Sequence, residues 1–112
     1  MKKPTKSTTD DVIADSTWSS DQSCHRQLIV KRGGDVLRYH VRRNAYVFQS
    51  FAEVELWRDG WQKLHRMPGE LMTTDASHVV HNISPSAFDG DISELRRVAC
   101  AVLSAKGKGG RQ

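Results

Sequence analysis

The chain has little that would announce a chemistry. Among its 112 residues are only two cysteines, Cys24 and Cys100, too few for a disulfide scaffold. No apolar run approaches the roughly 20 residues needed to span a bilayer, and no apolar core of a signal peptide is present. The expectation is therefore a protein of the reducing cytoplasm with both thiols reduced. There are no internal repeats and no Gly-x-Ser-x-Gly elbow to present a nucleophile. The segment Lys106-Gly107-Lys108-Gly109-Gly110 is not a phosphate-binding loop, because no strand pattern precedes it and no helix pattern follows.

The nearest approach to a metal set is His78 and His81 with Cys24, His25 and Asp75. Residues 77–83 read as a strand, where positions 78 and 81 point to opposite faces, and adjacent residues such as Cys24 and His25 rarely ligate one ion together. These absences argue against an enzyme and predict no catalytic residues, no cofactor and no metal.

Charge is uneven along the chain. The net charge of +4 divides into −1 over residues 1–25, +2 over 26–104 and +3 over 105–112. The excess lies mainly in a short basic Gly/Lys tail, Lys106, Lys108 and Arg111, of a kind that assists binding to phosphate backbones. Residues 1–25 hold nine Ser/Thr and four Asp with little apolar content, and read as a disordered arm. One α+β domain is expected over residues 26–104.

The centre of the chain reads as an antiparallel meander punctuated by three turns. Gly33-Gly34 makes a two-residue hairpin that sets Arg32 opposite Asp35, Val30 opposite Leu37, Leu28 opposite Tyr39 and Arg26 opposite Val41. Arg43-Asn44 reads as a second tight turn, pairing Val41 with Tyr46, Tyr39 with Phe48 and Leu37 with Ser50. Arg58-Asp59-Gly60 reads as a three-residue loop with Gly60 left-handed, which sets Trp57 against Trp61, Glu55 against Lys63, Val54 against Leu64 and Glu53 against His65. Aromatic, opposite-charge and apolar cross-strand pairs of this kind contribute roughly 0.2–1 kcal/mol each.

These registers predict an inner face of Leu28, Val30, Leu37, Tyr39, Val41, Tyr46, Phe48, Ala52, Val54, Leu56 and Leu64. A cover is needed for such a face. Asp91 with Glu94 reads as a capping box opening a helix whose stripe is Ile92, Leu95, Ala99, Val102 and Leu103, and Gly107 marks its end. Ser84-Pro85 reads as the start of a short helical turn, Phe88 as a residue tucked under the helix, and Ser77–Ile83 as a candidate fifth strand. The fold expected is a four- to five-stranded antiparallel meander with one face covered by the C-terminal helix.

The outer face carries the functional interest. Phe51, Trp57 and Trp61 fall there among Lys31, Arg38, His40, Lys63 and His65. Exposed aromatics suit anchoring of a protein partner, where Trp and Arg are common hot spots. Interleaved with cations they also suit stacking on unpaired bases. Trp18, with Val12 and Ile13, is the apolar content of the arm and is expected to dock on this face or on the sheet edge, in one chain or across a homodimer. The leading expectation is a host or phage protein as partner, through Phe51, Trp57, Trp61 and Trp18. The second is single-stranded nucleic acid, through Lys31, Arg38, His40, Lys63, His65, Lys106, Lys108 and Arg111.

The stretch from Arg43 to Gly69, RNAYVFQSFAEVELWRDGWQKLHRMPG, resembles small uncharacterised accessory proteins of actinobacterial phages and plasmids, and the likeness extends over residues 26–104. It implies a dispensable mobile-element protein of the host cytoplasm that binds rather than catalyses, and it carries over no site residues. In strand order alone, a meander followed by a helix, the chain is also similar to a family of single-strand-binding proteins, though fold does not fix function.

Overall fold

A computed structural model describes residues 10–20, 23–44, 46–71 and 85–109. Five strands form one antiparallel sheet in chain order: β1 (Asp11–Ser20), β2 (Ser23–Arg32), β3 (Asp35–Asn44), β4 (Phe51–Trp57) and β5 (Trp61–Pro68). A single long helix, α1 (Asp89–Gly109), packs against β3, β4 and β5 and covers one face. The fold is an α+β meander with a C-terminal helical cover, as the hydrophobic alternation predicts.

Among the described residues the fifth strand is β1, formed by residues that read as a disordered arm; the candidate strand at residues 77–83 lies outside the described ones. The domain therefore begins before residue 26. Apolar burial is not what orders β1, since Val12 and Ile13 are largely exposed. Its backbone pairs along the length of β2, from Asp11 opposite Lys31 to Ser20 opposite Ser23, with a bulge at Ile13. Two ion pairs add to this: Arg26 Nη2 to Asp15 at 2.9 Å and Arg32 Nε to Asp10 at 2.7 Å. An edge strand rich in Asp also discourages pairing with another sheet.

The first hairpin has the predicted register, with Arg32 opposite Asp35 and Arg26 opposite Val41. Gly33 has φ +59° and Gly34 does not take a positive φ, the pattern of a type II′ turn. The second turn differs. β3 runs on to Asn44, and a 3-10 turn, Val47–Gln49, lies between it and β4. Asn44 organises this connection with side chain and backbone together. Its Oδ1 accepts from Tyr46 N at 2.9 Å, its Nδ2 donates to Ser23 Oγ at 2.7 Å, and its backbone N donates to Ser50 Oγ at 2.9 Å.

Val41 consequently faces Ala52 rather than Tyr46, and Tyr39 faces Val54 rather than Phe48. Tyr46 and Phe48 leave the core and are 54% and 71% exposed. The slip is six residues. Because the slip is even, strand parity is conserved, and Ala52, Val54 and Leu56 keep the inner face.

At the third turn Trp57 faces Trp61 and Glu55 faces Lys63, as predicted. Asp59, not Gly60, takes the left-handed conformation at φ +59°, and Gly60 sits at φ +124°. Beyond the pair Glu55/Lys63 the register shifts at a bulge. Val54 then faces His65, and Glu53 faces Arg66. Leu64 packs against the core as an extra residue, and His65 moves to the helix side of the sheet.

The core lies between the inner face and α1. Val30, Leu37, Tyr39, Val41, Ala52 and Val54 are fully buried beneath Phe88, Leu95 and Ala99. Phe88 ends a 3-10 turn, Pro85–Phe88, that leads into the helix. The expected capping box is absent. The helix starts at Asp89, Asp91 is buried in its first turn, and Glu94 pairs with Arg97 instead. An acid in the first turn still suits the helix dipole. The helix also continues through Gly107 to Gly109, so residues 105–109 are helical rather than a loose tail. Cys24 is buried, Cys100 is exposed, and neither is in a disulfide. Among the described residues no helix is long and apolar enough to cross a membrane.

Candidate interaction surface on the open sheet face

Among the described residues no helix covers the second face of the sheet. Its side chains fall into two aromatic groups separated by a band of charge. The first group crosses the strands at one end. Trp18 of β1 stands opposite His25 of β2, and their rings stack at 4.8 Å with planes 3° apart. Trp18 also stacks on His40 of β3 at 5.8 Å. The two imidazoles lie 5.4 Å apart, and His25 Nδ1 is 3.1 Å from His40 Nε2, so one ring donates a hydrogen bond to the other. Phe51 of β4 meets His40 edge-on at 5.3 Å, and the Arg66 guanidinium of β5 lies 4.3 Å over the Phe51 ring. Every strand thus contributes one member to a continuous row.

The row keeps its histidines neutral. Burial, then the nearby His40 and Arg42, pushes the His25 pKa down to about 4. Burial also lowers that of His40, against an opposing pull from Glu53. Neutral imidazoles stack with Trp18 and share a hydrogen bond, whereas two imidazoliums at this distance would repel.

The second group is at the tip of the β4–β5 hairpin. Trp57 and Trp61 meet edge-on at 5.3 Å, and the Arg38 guanidinium lies 4.2 Å over the Trp61 ring. Such an arrangement holds Trp61 in place and leaves Trp57 half exposed. Between the groups the cations are matched by carboxylates. Arg38 Nη2 is 2.6 Å from Glu55 Oε1, and Lys63 Nζ is 3.1 Å from Glu53 Oε1. Arg66 Nη1 also reaches Glu53, at 3.6 Å. Glu53 Oε1 lies at ion-pair distance from Lys63 and Arg66 without hydrogen-bond alignment to either.

Of the residues expected on this face, Trp18, Phe51, Trp57, Trp61, Arg38, His40 and Lys63 are brought together on it. Lys31 is exposed at the Gly33-Gly34 end of β2. His65 is excluded by the β5 bulge. Lys106 and Lys108 lie in the last turns of α1, and Arg111 lies outside the described residues. His78, His81 and Asp75 also lie outside them. No group of three or more metal-ligating residues occurs among those described.

Two members of the surface were missed in the sequence. Arg66 needs the bulge to reach the outer face. His25 was legible, because extending the first hairpin register one residue past Arg26 sets His25 opposite Arg42. The chain matches no family model, no curated protein and no solved structure.

Proposed function

We propose that the protein is a non-catalytic binding module that docks a partner protein on the open face of its sheet, through Trp57, Trp61, Phe51 and Trp18. The observation that carries this reading is the chemistry of that face. It offers large aromatic surfaces held in fixed orientation, and its central cations are already matched by Glu53 and Glu55. Ordered aromatic side chains lose little entropy on binding and form the hot spots of protein interfaces. A partner with an apolar patch and a polar rim fits it. That the module serves a phage or plasmid in its host's cytoplasm is part of the same proposal, and rests on the likeness of residues 43–69 to accessory proteins of such elements.

The second reading, a single-stranded nucleic-acid binder, draws on exposed Trp57 as a stacking platform. It has less support, because Arg38 and Lys63 are engaged with carboxylates and His65 faces the helix. A phosphate backbone would have to displace Glu53 and Glu55 from their cations.

Affinity capture from host lysate, with and without nuclease, tests the two readings together. A captured protein that survives nuclease and is lost with Trp57→Ala and Phe51→Ala supports the first. Capture that nuclease abolishes supports the second. Retention by both variants while they stay folded overturns the assignment of this face.

A further inference from the structure

The charge on the open face of the sheet is unevenly placed. Arg38, Arg42, Lys63 and Arg66 share that face with two carboxylates, Glu53 and Glu55. At the far end Lys31 stands opposite Asp11. Arg38 pairs with Glu55 at 2.6 Å, but Lys63 and Arg66 both rely on Glu53 Oε1, at 3.1 Å and 3.6 Å. The longer distance leaves Arg66 short of a carboxylate. Arg42 forms no ion pair among the described residues, and its Nε donates to the neutral Ser23 Oγ at 3.2 Å. We infer that the partner docked on this face is an acidic polypeptide segment, which lays apolar side chains on the row of Trp18, His40 and Phe51 and sets its own Asp or Glu side chains against Arg42 and Arg66. This inference rests on the docking reading above and adds the partner's chemistry to it.

Three observations support the acidic partner. The first is position. Arg42 stands opposite Phe51 on β3, and the Arg66 guanidinium lies 4.3 Å over the Phe51 ring from β5. The two cations thus come from the strands on either side of β4, two strand spacings or roughly 10 Å apart. A segment that places an apolar side chain between them meets a cation on each flank. The second is height. Lys63 and Arg66 are half exposed, whereas the side chains of Glu53 and Glu55 are only 14% and 15% exposed. The carboxylates are recessed, so an approaching chain meets positive charge first. The third is order. Arg66 is seated on Phe51 and Arg42 on Ser23. A guanidinium held in place takes a carboxylate through parallel N–H donors with little loss of side-chain freedom.

The same placement favours a polypeptide over a nucleic acid. A phosphate chain carries a negative charge at every nucleotide, and its track across the face would pass over Glu53 and Glu55. A polypeptide puts acids only where cations lack them and apolar groups elsewhere. Complementarity of this kind fixes the register of docking and speeds encounter.

The test uses the folded full chain, fluorescently labelled, against an array of Gly/Ser-framed peptides in which a central Trp or Leu is flanked on both sides by Glu, by Gln or by Lys. Affinities are then measured in solution by anisotropy. Glu-flanked peptides should bind severalfold tighter than their Gln counterparts, and Lys-flanked ones should bind least. The preference for Glu should narrow as salt rises. Arg42→Gln and Arg66→Gln should each reduce that preference and together remove it, and Arg42→Gln decides the matter if Arg66→Gln disturbs Phe51. Arg97→Gln, the same change of charge on the exposed side of α1, should leave it intact. Absence of a Glu preference, or its equal loss in Arg97→Gln, overturns the acidic partner. Phe51→Ala separates that failure from failure of the docking reading. Where Glu and Gln peptides bind equally, loss of both in Phe51→Ala discards the acid and keeps the face, and retention of both discards the face as well. A single-stranded oligonucleotide that displaces the Glu peptides at equal concentration would assign the cations to phosphate and overturn the proposal.

Discussion

Arg43 Nη2 donates to Asp91 Oδ2 at 2.9 Å with both side chains fully buried, so the end of β3 is joined to the first turn of α1 by an ion pair inside the core. Arg43 is the largest fully buried side chain described. Its Nε has no hydrogen-bond partner, so the pair is not fully satisfied on the Arg side. An ion pair of this kind costs desolvation on both sides and adds little net stability, but removing one partner strands the other charge.

Arg43→Met or Asp91→Leu alone should therefore destabilise by about 3–5 kcal/mol, while the double substitution should recover much of the loss. Urea unfolding of the four proteins measures the coupling. Additive single effects would mean that the pair does not act as a unit.

Leu95 is fully buried in α1 above the sheet, and Leu56 is buried in β4 below. Leu95→Ala should cost about 2–5 kcal/mol. For a small domain that is much of the total stability, and a near-unchanged unfolding midpoint would count against helix burial on this face.

The turn after β4 predicts a specific order of damage. Asp59 holds φ +59° and Gly60 φ +124°. Asp59→Gly should be neutral or mildly stabilising in the turn, since Gly takes that angle without strain. Gly60→Val should cost about 1–3 kcal/mol. Gly60→Asn should cost nearly as much, because the tolerance of Asn is for the left-handed helical region near +60° and Gly60 lies well beyond it. A mild Gly60→Asn with a harmful Asp59→Gly would reverse the assignment.

The stacked histidines make stability depend on pH. In the unfolded chain His25 titrates near 6.5, and in the folded chain at about 4. His40 shifts in the same direction. Between these limits the unfolded state binds more protons, so the stability from this pair is complete above pH 6.5 and is lost as pH falls toward 4. Thermal melts across that window should show the decline, and the double substitution of His25 and His40 by Gln should flatten it. An unchanged slope would mean that other groups set the pH dependence. Trp18 fluorescence reports the same event at the row itself.

The aromatic tip should separate binding from folding. Trp57 is half exposed and paired only at its edge with Trp61. Trp57→Ala should cost the fold on the order of 1 kcal/mol. Loss of a hot spot should cost partner binding about 2 kcal/mol or more. Titration of the captured partner against both proteins makes the comparison, and equal affinities would place the interface elsewhere.

Alternation of apolar residues by itself determined the meander, the inner face and the covering helix, because burial of one sheet face and one helix stripe is a local, periodic demand on the sequence. The Gly33-Gly34 turn carried its register in the same way, since its geometry is local. Even the misplaced Arg43-Asn44 turn left Ala52, Val54 and Leu56 facing inward, because the slip was by an even number. Tertiary structure decided what depends on distant partners. Residues 11–20 are a strand because β2, Arg26 and Arg32 hold them, and nothing in their own composition requires it. Asn44 became the organiser of a loop through Ser23 and Ser50. A single bulge at Leu64 exchanged His65 for Arg66 on the open face. Asp91 reads as a helix cap until Arg43 reaches it across the core. In each case a side chain's role was set by a charge, donor or backbone edge from elsewhere in the chain, and periodicity does not encode such meetings.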